Sequence, residues 1–271
     1  MFKRNHGELN IAQQCRLLGI SRSSVYSTPR GESEQNLALM REIKAVFEDK
    51  PFMGVRQMRA WLRLHDHTVG LKRVRRLMRQ MHLMPIYQRP KTTVPHPEDK
   101  RHPYFVEISA PNQVWSADIT YIPMRKGFLY LVAIIDWYSR KALSWRLSAT
   151  MDVDFCIDAL EEALTRYGRP EIFNTDQGSQ FTSMDFTNIL QSRGIRISMD
   201  GRGRWRDNVI IERFWRSLKY ECVYLYAFED GFEARQIIAS WVGLYNRERP
   251  HSSLGGLTPD MEYKWEVKKA A

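Results

Sequence analysis

Cysteine is scarce in this chain, and what there is sits apart. Cys15, Cys156 and Cys222 are the only three among 271 residues, and no CxxC spacing links them. That excludes a disulfide framework and a cysteine-ligated zinc site. The seven histidines add no ligand pattern, and His65 with His67 is a weak pair. Long hydrophobic runs are also missing. The longest, 129–135 with Tyr130 inside it, is far too short to span a membrane. No apolar leader segment opens the chain, so an intracellular protein is expected. Acid is sparse in one part only. Residues 1–110 hold 10 Asp and Glu against 20 Lys and Arg, and residues 111–271 hold 21 of each. The net charge of +10 therefore belongs to the first 110 residues. A basic module joined to a neutral one implies a polyanion grip beside a second activity. A solubilising surface is the plainer alternative. Hydrophobic content of 43% and charged content of 27% describe a globular chain, long enough for two or three domains.

Residues 1–30 read as a helix-turn-helix. Ile11, Cys15 and Leu18 form an apolar stripe, Gly19 makes the turn, and Ser21 caps a second helix at 22–26. In that motif the second helix enters the major groove, which would aim Arg22, Ser23 and Ser24 at DNA. A plain helical hairpin would carry the same signals. Residues 35–84 form a second helical, DNA-binding module. Leu37, Met40, Ile43, Val46 and Phe47 fall at helical spacing, as do Val55, Met58 and Leu62. Leu71, Val74, Leu77, Met78 and Met81 make the buried stripe of its last helix, opposite Lys72, Arg73, Arg75, Arg76 and Arg79. Five cations without an acidic partner at helical spacing point to phosphate contact, against the alternative of a solvated face. Residues 85–111 hold six prolines and read as an extended linker.

From residue 112 the periodicity changes. Strands are expected at 115–124, 128–137 and 141–147, joined by short turns and therefore antiparallel. A helix at 153–167, a strand at 171–175, a helix from Ser183 to Gly194, a strand at 195–199 and helices at 208–226 and 231–245 follow. This is an α/β layer fold with a mixed five-stranded sheet flanked by helices, preceded by small all-α modules.

Three carboxylates stand out in it. Asp118 lies on the first strand, Asp176 ends the fourth, and Glu212 is one turn into a helix that Asp207 or Asn208 can cap. Carboxylates that converge from separate elements repel one another unless a cation neutralises them. Oxygen-only ligands suit Mg²⁺ before Zn²⁺. Glu212, Arg216 and Lys219 share one helix stripe, a metal ligand and two cations on a surface suited to a phosphate backbone. Alone, an ordinary Glu212–Arg216 pair explains the same spacing. Arg202 and Arg204 lie in a basic loop, 200–206, that is expected to order on DNA. Asp136 reads as a structural or supporting residue, and His251 as a turn residue.

The motifs Trp115-Ser-Ala-Asp-Ile-Thr-Tyr-Ile122, Tyr130-Leu-Val-Ala-Ile-Ile-Asp-Trp-Tyr-Ser-Arg-Lys141, Asn174-Thr-Asp-Gln-Gly-Ser-Gln-Phe181, Arg206-Asp-Asn-Val-Ile-Ile-Glu-Arg-Phe-Trp215, Leu218-Lys-Tyr-Glu221 and Tyr245-Asn-Arg-Glu-Arg-Pro-His-Ser-Ser-Leu254 occur in that order. Together the set resembles the second reading frame of the IS3 family of bacterial insertion-sequence transposases. The resemblance covers residues 112–265 and extends more weakly to 10–90. It implies a ribonuclease-H-like catalytic core of the retroviral-integrase type over 112–271. It also implies a DDE triad of Asp118, Asp176 and Glu212 holding two Mg²⁺ ions, Mn²⁺ substituting, about 4 Å apart. The implied reaction nicks the 3′ ends of the element and joins them to DNA by in-line transesterification. The implied partners are double-stranded DNA, as terminal inverted repeats and target, further copies of the chain on that DNA, and an upstream-frame protein or fusion. The implied location is the bacterial cytoplasm, at the nucleoid, with no membrane association. The chain departs from many relatives at Asn174-Thr175 and at Val209, without losing a carboxylate. A DNA-binding regulator, inactive alone, is the alternative, and a structure-selective nuclease of the same fold is a third.

Overall fold

The computed structural model describes residues 7–26, 31–86, 108–199 and 209–270, with side chains to 264. The chain forms two compact units, 1–42 and 43–271, divided within one helix. Most of the proline-rich segment, the loop carrying Arg202 and Arg204, and the Asp207/Asn208 cap lie outside the described residues.

In the first unit Asn10 and Gln13 close a capping box on α1 (Ile11–Leu18). Gly19 ends the helix at φ +62°, a left-handed turn that a residue without Cβ enters freely. α2 (Arg22–Tyr26) follows, with the Ser24 N–H donating to Ser21 Oγ at 3.3 Å. Of the expected stripe only Cys15 is buried, and Leu18 is 46% exposed. α3 (Glu34–Asp49) crosses the boundary. Its buried stripe is Leu39, Ile43 and Val46, at i, i+4 and i+7. Leu37 is exposed, so the stripe is rotated from the expected one.

In the second unit α4 (Val55–Leu64) and α5 (Leu71–Gln80) bury Met58, Leu62, Val74, Leu77 and Met78 as expected. The sheet consists of β1 (Val114–Pro123), β2 (Phe128–Asp136), β3 (Ala142–Ser148), β4 (Ile172–Thr175) and β5 (Arg196–Met199), in the order β3-β2-β1-β4-β5. β1–β2 and β2–β3 are antiparallel, while β1–β4 and β4–β5 are parallel. The mixed sheet follows from the connections. Short turns join the first three strands, and α6 (Asp154–Tyr167) and α8 (Met184–Ser192) cross over to the last two. A short α7 (Ser179–Thr182) precedes α8.

Strand alternation divides the core in two. Trp115, Ala117, Val132 and Ile134 face α6 and α8, packing on Phe155, Leu160, Phe186 and Leu190. Ile122, Leu131, Ala133 and Ile135 face α9 (Val209–Glu221) and α10 (Gly231–Arg247), packing on Phe214, Trp215, Leu218 and Ile238. The expected helix over 208–226 gives way after Glu221 to a short 3₁₀ turn at 223–225, and α11 (Pro259–Ala270) was not expected from the sequence. α10 runs two residues beyond its expected end and takes in Asn246. The Asn246 amide then pairs with the Ala142 backbone in both directions (3.0 and 2.9 Å), where the β2–β3 register shifts. Among the described residues no helix is long and apolar enough to cross a membrane.

His251 is a buried turn residue, edge-on to the Tyr245 ring at 4.8 Å. Burial, with the charges of Arg249 and Arg140, lowers its pKa to about 3. The folded chain therefore keeps this ring neutral while the unfolded chain protonates it near 6.5. Stability is lost as pH falls below that value, by about 2 kcal/mol at pH 5. Urea unfolding at pH 7.5 and pH 5, in the wild type and His251→Asn, checks this. The variant is expected to lack that share of the acid sensitivity, and equal slopes would contradict it.

Candidate active site

Sheet register sets the first part of the geometry. Parallel pairing places Ser116 beside Asn174, so the residues two further on, Asp118 and Asp176, lie at the same level of adjacent strands. Two residues along a strand restore the same face. Asp118 faces α9, where the Trp215 indole N–H donates to Asp118 Oδ2 at 2.8 Å, and the Ile119 N–H donates to Oδ1 at 2.8 Å. Glu212 lies in the first turn of the same helix, three residues before Trp215.

Burial of Ile211, Phe214, Trp215 and Leu218 against the sheet fixes how α9 is rotated. That rotation leaves Glu212 exposed on the side adjoining Trp215. The Asp118 carboxyl is pushed up to about 6. Burial is the main cause; the bonds from Trp215 and Ile119 oppose it, and the charges of Asp176 and Glu212 add to it. The three carboxylates singled out in the sequence therefore interact electrostatically in the folded chain.

Asp176 is held by the turn after β4. Its Oδ1 accepts from the Gly178 N–H at 2.9 Å, and a Cβ built on Gly178 would stand 2.9 Å from the same oxygen. A methyl there must push the carboxylate aside. Gly178→Ala is expected to reduce activity about tenfold or more, since displacements near 1 Å cost up to about a hundredfold, with little change in Tm. Strand-cleavage rates beside thermal melts test this, and unchanged rates would remove Gly178 from the site. The Gln180 amide donates to the Met151 carbonyl at 2.9 Å, so it ties the loop down. Asp136 ends β2 opposite Trp115, three residues along β1 from Asp118, and accepts from the Ser139 N–H, the Ser139 hydroxyl and the Asn112 N–H. It is a buried clamp on a turn, consistent with a structural role.

Oxygen donors alone, with one carboxyl raised partly by the negative charge of two others, form a set whose repulsion a hard dication relieves. Among the described residues no three His, Cys, Asp or Glu side chains are drawn close enough to enclose a metal by themselves. Mg²⁺ sites that act on phosphates commonly use few carboxylates and complete the shell with water and substrate oxygens. The donor chemistry fits such an ion.

Of the cations singled out in the sequence, Arg22, Lys72, Arg75, Arg76, Arg79 and Arg216 are exposed, and Arg73 and Lys219 are half-buried. The Arg76 guanidinium donates to Gln80 at 3.3 Å. Among the described residues no ion pair joins Glu212 to Arg216. Trp215 is the partner of Asp118 that sequence reasoning missed. It read as core packing, and its i+3 spacing from Glu212 was the signal available.

Family models agree with this layout. Residues 108–204 and 193–259 match two integrase core domain models, and residues 34–91 match an HTH-like domain. The chain is 31% identical over 277 residues to the transposase InsF for insertion sequence IS3A of Escherichia coli (strain K12), covering 96% of each chain. The chain belongs to the IS3 family of transposases. It is also 31% identical to the insertion element IS600 uncharacterized 31 kDa protein of Shigella sonnei, covering 90% of this chain and 95% of that one. A structure of the HTLV-2 integrase catalytic core domain in complex with magnesium is 23% identical, covering 57% of this chain and 97% of that chain, with a TM-score of 0.43. This transposase thus carries an integrase core with the mixed five-stranded sheet expected from its sequence, and a helical module of the HTH-like kind before it.

Proposed function

We propose that Asp118, Asp176 and Glu212 are the catalytic triad of this DNA transposase and hold two Mg²⁺ ions, for which Mn²⁺ substitutes. The observation that carries this reading is the Asp118 carboxyl, which feels the charges of both partners while the helix bearing Glu212 holds it through Trp215. When bound, the ions activate the attacking oxygen and stabilise the leaving one in an in-line displacement at phosphorus. The chain's own residues set the geometry. Trp215 and the Ile119 N–H fix both oxygens of Asp118, and the Gly178 N–H fixes Asp176. Glu212, exposed in the first turn of α9, supplies the third carboxylate. The substrates are the terminal repeats of the element and a target duplex. Arg22, Lys72, Arg73, Arg75, Arg76, Arg79, Arg216 and Lys219 grip the backbone, and Arg202 and Arg204, which precede α9 in the sequence, join them. Two ends must be paired, so the working form is a homo-oligomer on DNA.

The test is 3′-end cleavage and joining on labelled duplexes taken from the sequences flanking the gene, with Mg²⁺ or EDTA. Products in Mg²⁺ alone are expected. Tight end binding without products would make this chain a DNA-binding subunit that needs an upstream-frame partner.

A further inference from the structure

α9 has a second polar side besides the one that carries Glu212. Arg213, Arg216 and Ser217 open onto a cleft of about 520 Å³ whose far wall is α4. α4 also approaches the chain that follows α10. Ala60 of α4 lies 3.7 Å from where a Cβ on Gly256 would begin, and Gly256 has φ +96°. Lys50 bridges to Glu248 at 3.3 Å. Five arginines line this space (Arg56, Arg140, Arg213, Arg216 and Arg249) and no acidic side chain does.

The charges are not equally committed. Arg249 is neutralised by Glu221 outside the lining. Arg56, Arg213 and Arg216 are exposed and have no ion-pair partner among the described residues. Like charges gathered in one cleft repel, and an anion relieves that cost. The guanidinium fork matches phosphate oxygens two at a time. Three uncommitted guanidinium groups exceed what one phosphate neutralises, so the matching ligand carries phosphates in series. Arg216 lines the cleft and lies one helical turn beyond Glu212 on α9, so whatever fills the cleft passes beside Glu212.

We infer that this cleft binds a run of at least two consecutive DNA backbone phosphates beside the scissile one, with Arg56 and Arg213 gripping from opposite walls. The inference rests on the reading of the triad as a DNA-cleaving site. It adds Arg56 and Arg213, and joins the helical module and the catalytic helix in one grip.

The test is fluorescence anisotropy of the full chain on a labelled duplex from the flanking sequences, in EDTA, across a KCl series. The proteins are wild type, Arg56→Gln/Arg213→Gln, and Arg56→Lys/Arg213→Lys. Each phosphate contact contributes about −0.9 to the slope of log K against log salt, so the Gln variant is expected to be shallower by about 2. The Lys variant keeps the charge and is expected to restore the slope. Both positions are exposed, so the melts stay unchanged. An unchanged slope in the Gln variant, while the wild type still cleaves in Mg²⁺, would overturn this inference and leave the triad standing. A wild type that neither binds nor cuts duplex DNA would overturn both.

Discussion

Glu212→Gln is expected to lower strand cleavage and joining by at least about 10³-fold while leaving the fold intact. The side chain is exposed and makes no ion pair with Arg216, so its loss removes no packing and no structural partner. What it removes is one anionic ligand. Metal stabilisation of charge in the transition state is worth several kcal/mol, and each 1.36 kcal/mol is tenfold in rate. Asp118→Asn and Asp176→Asn are expected to lose as much, and pairs of these changes should lose little more, because the three act as one unit. Single-turnover assays beside thermal melts separate the two effects. Full activity of Glu212→Gln in Mg²⁺ would remove it from the site. A large drop in Tm for the same variant would recast it as a structural residue.

Arg249→Ala should cost the protein more stability than any change at the triad. Its Nε donates to Glu221 Oε2 at 2.8 Å, its second nitrogen donates to the other carboxylate oxygen, and it lies against the Tyr245 ring. The two side chains are only 13% and 10% exposed. Breaking such a pair strands a buried carboxylate and costs about 3–5 kcal/mol, which lowers Tm by on the order of 10 °C in a unit of this size. Arg249→Lys keeps the charge but not the fork, and should fall between. Arg249→Met/Glu221→Leu should recover most of the loss, since an apolar pair of similar volume strands no charge. If that double variant is as unstable as Arg249→Ala, the pair is not the cause. The consequence reaches the chemistry, because Glu221 ends the helix whose first turn carries Glu212. Activity should therefore fall with stability in Arg249→Ala and return with it in the double variant.

The sheet was legible because its strands alternate cleanly and its first turns are short. Those signals gave the first three strands and their antiparallel pairing, and the helices between the later strands made the sheet mixed and placed Asp118 and Asp176. Helix rotation was less legible. Leu37 and Leu39 are both apolar, and only the packing of the folded chain decides that Leu39 turns inward. α11 has little periodic apolar pattern, and its start signals, Thr258 before Pro259 with Asp260 and Glu262 in the first turn, were the only announcement of it. Its docking depends on distant partners. Lys141 meets Asp260 at 2.9 Å and stands over the Tyr263 ring, and the Asn112 amide donates to the Tyr263 hydroxyl at 3.0 Å. The Trp215–Asp118 bond spans 97 residues and Arg249–Glu221 spans 28. Side-chain pairs at such separations leave no trace in spacing or composition. The three carboxylates were legible as residue types on three elements and, through the family resemblance, as an expected triad; the register of β1 on β4 and the rotation of α9 are what the folded chain adds.

If the three carboxylates form one metal centre, the Trp215 indole is a reporter built into it. Its N–H lies within a hydrogen bond of Asp118 Oδ2. The measurement is the indole N–H spectrum of the DNA-bound protein during titration with paramagnetic Mn²⁺, in wild type and Glu212→Gln. The account predicts that the Trp215 signal is the first to broaden away in the wild type, while distant indoles such as Trp61 persist, and that the variant needs far more Mn²⁺ for the same loss. A Trp215 signal that stays sharp at Mn²⁺ concentrations that support cleavage would contradict it.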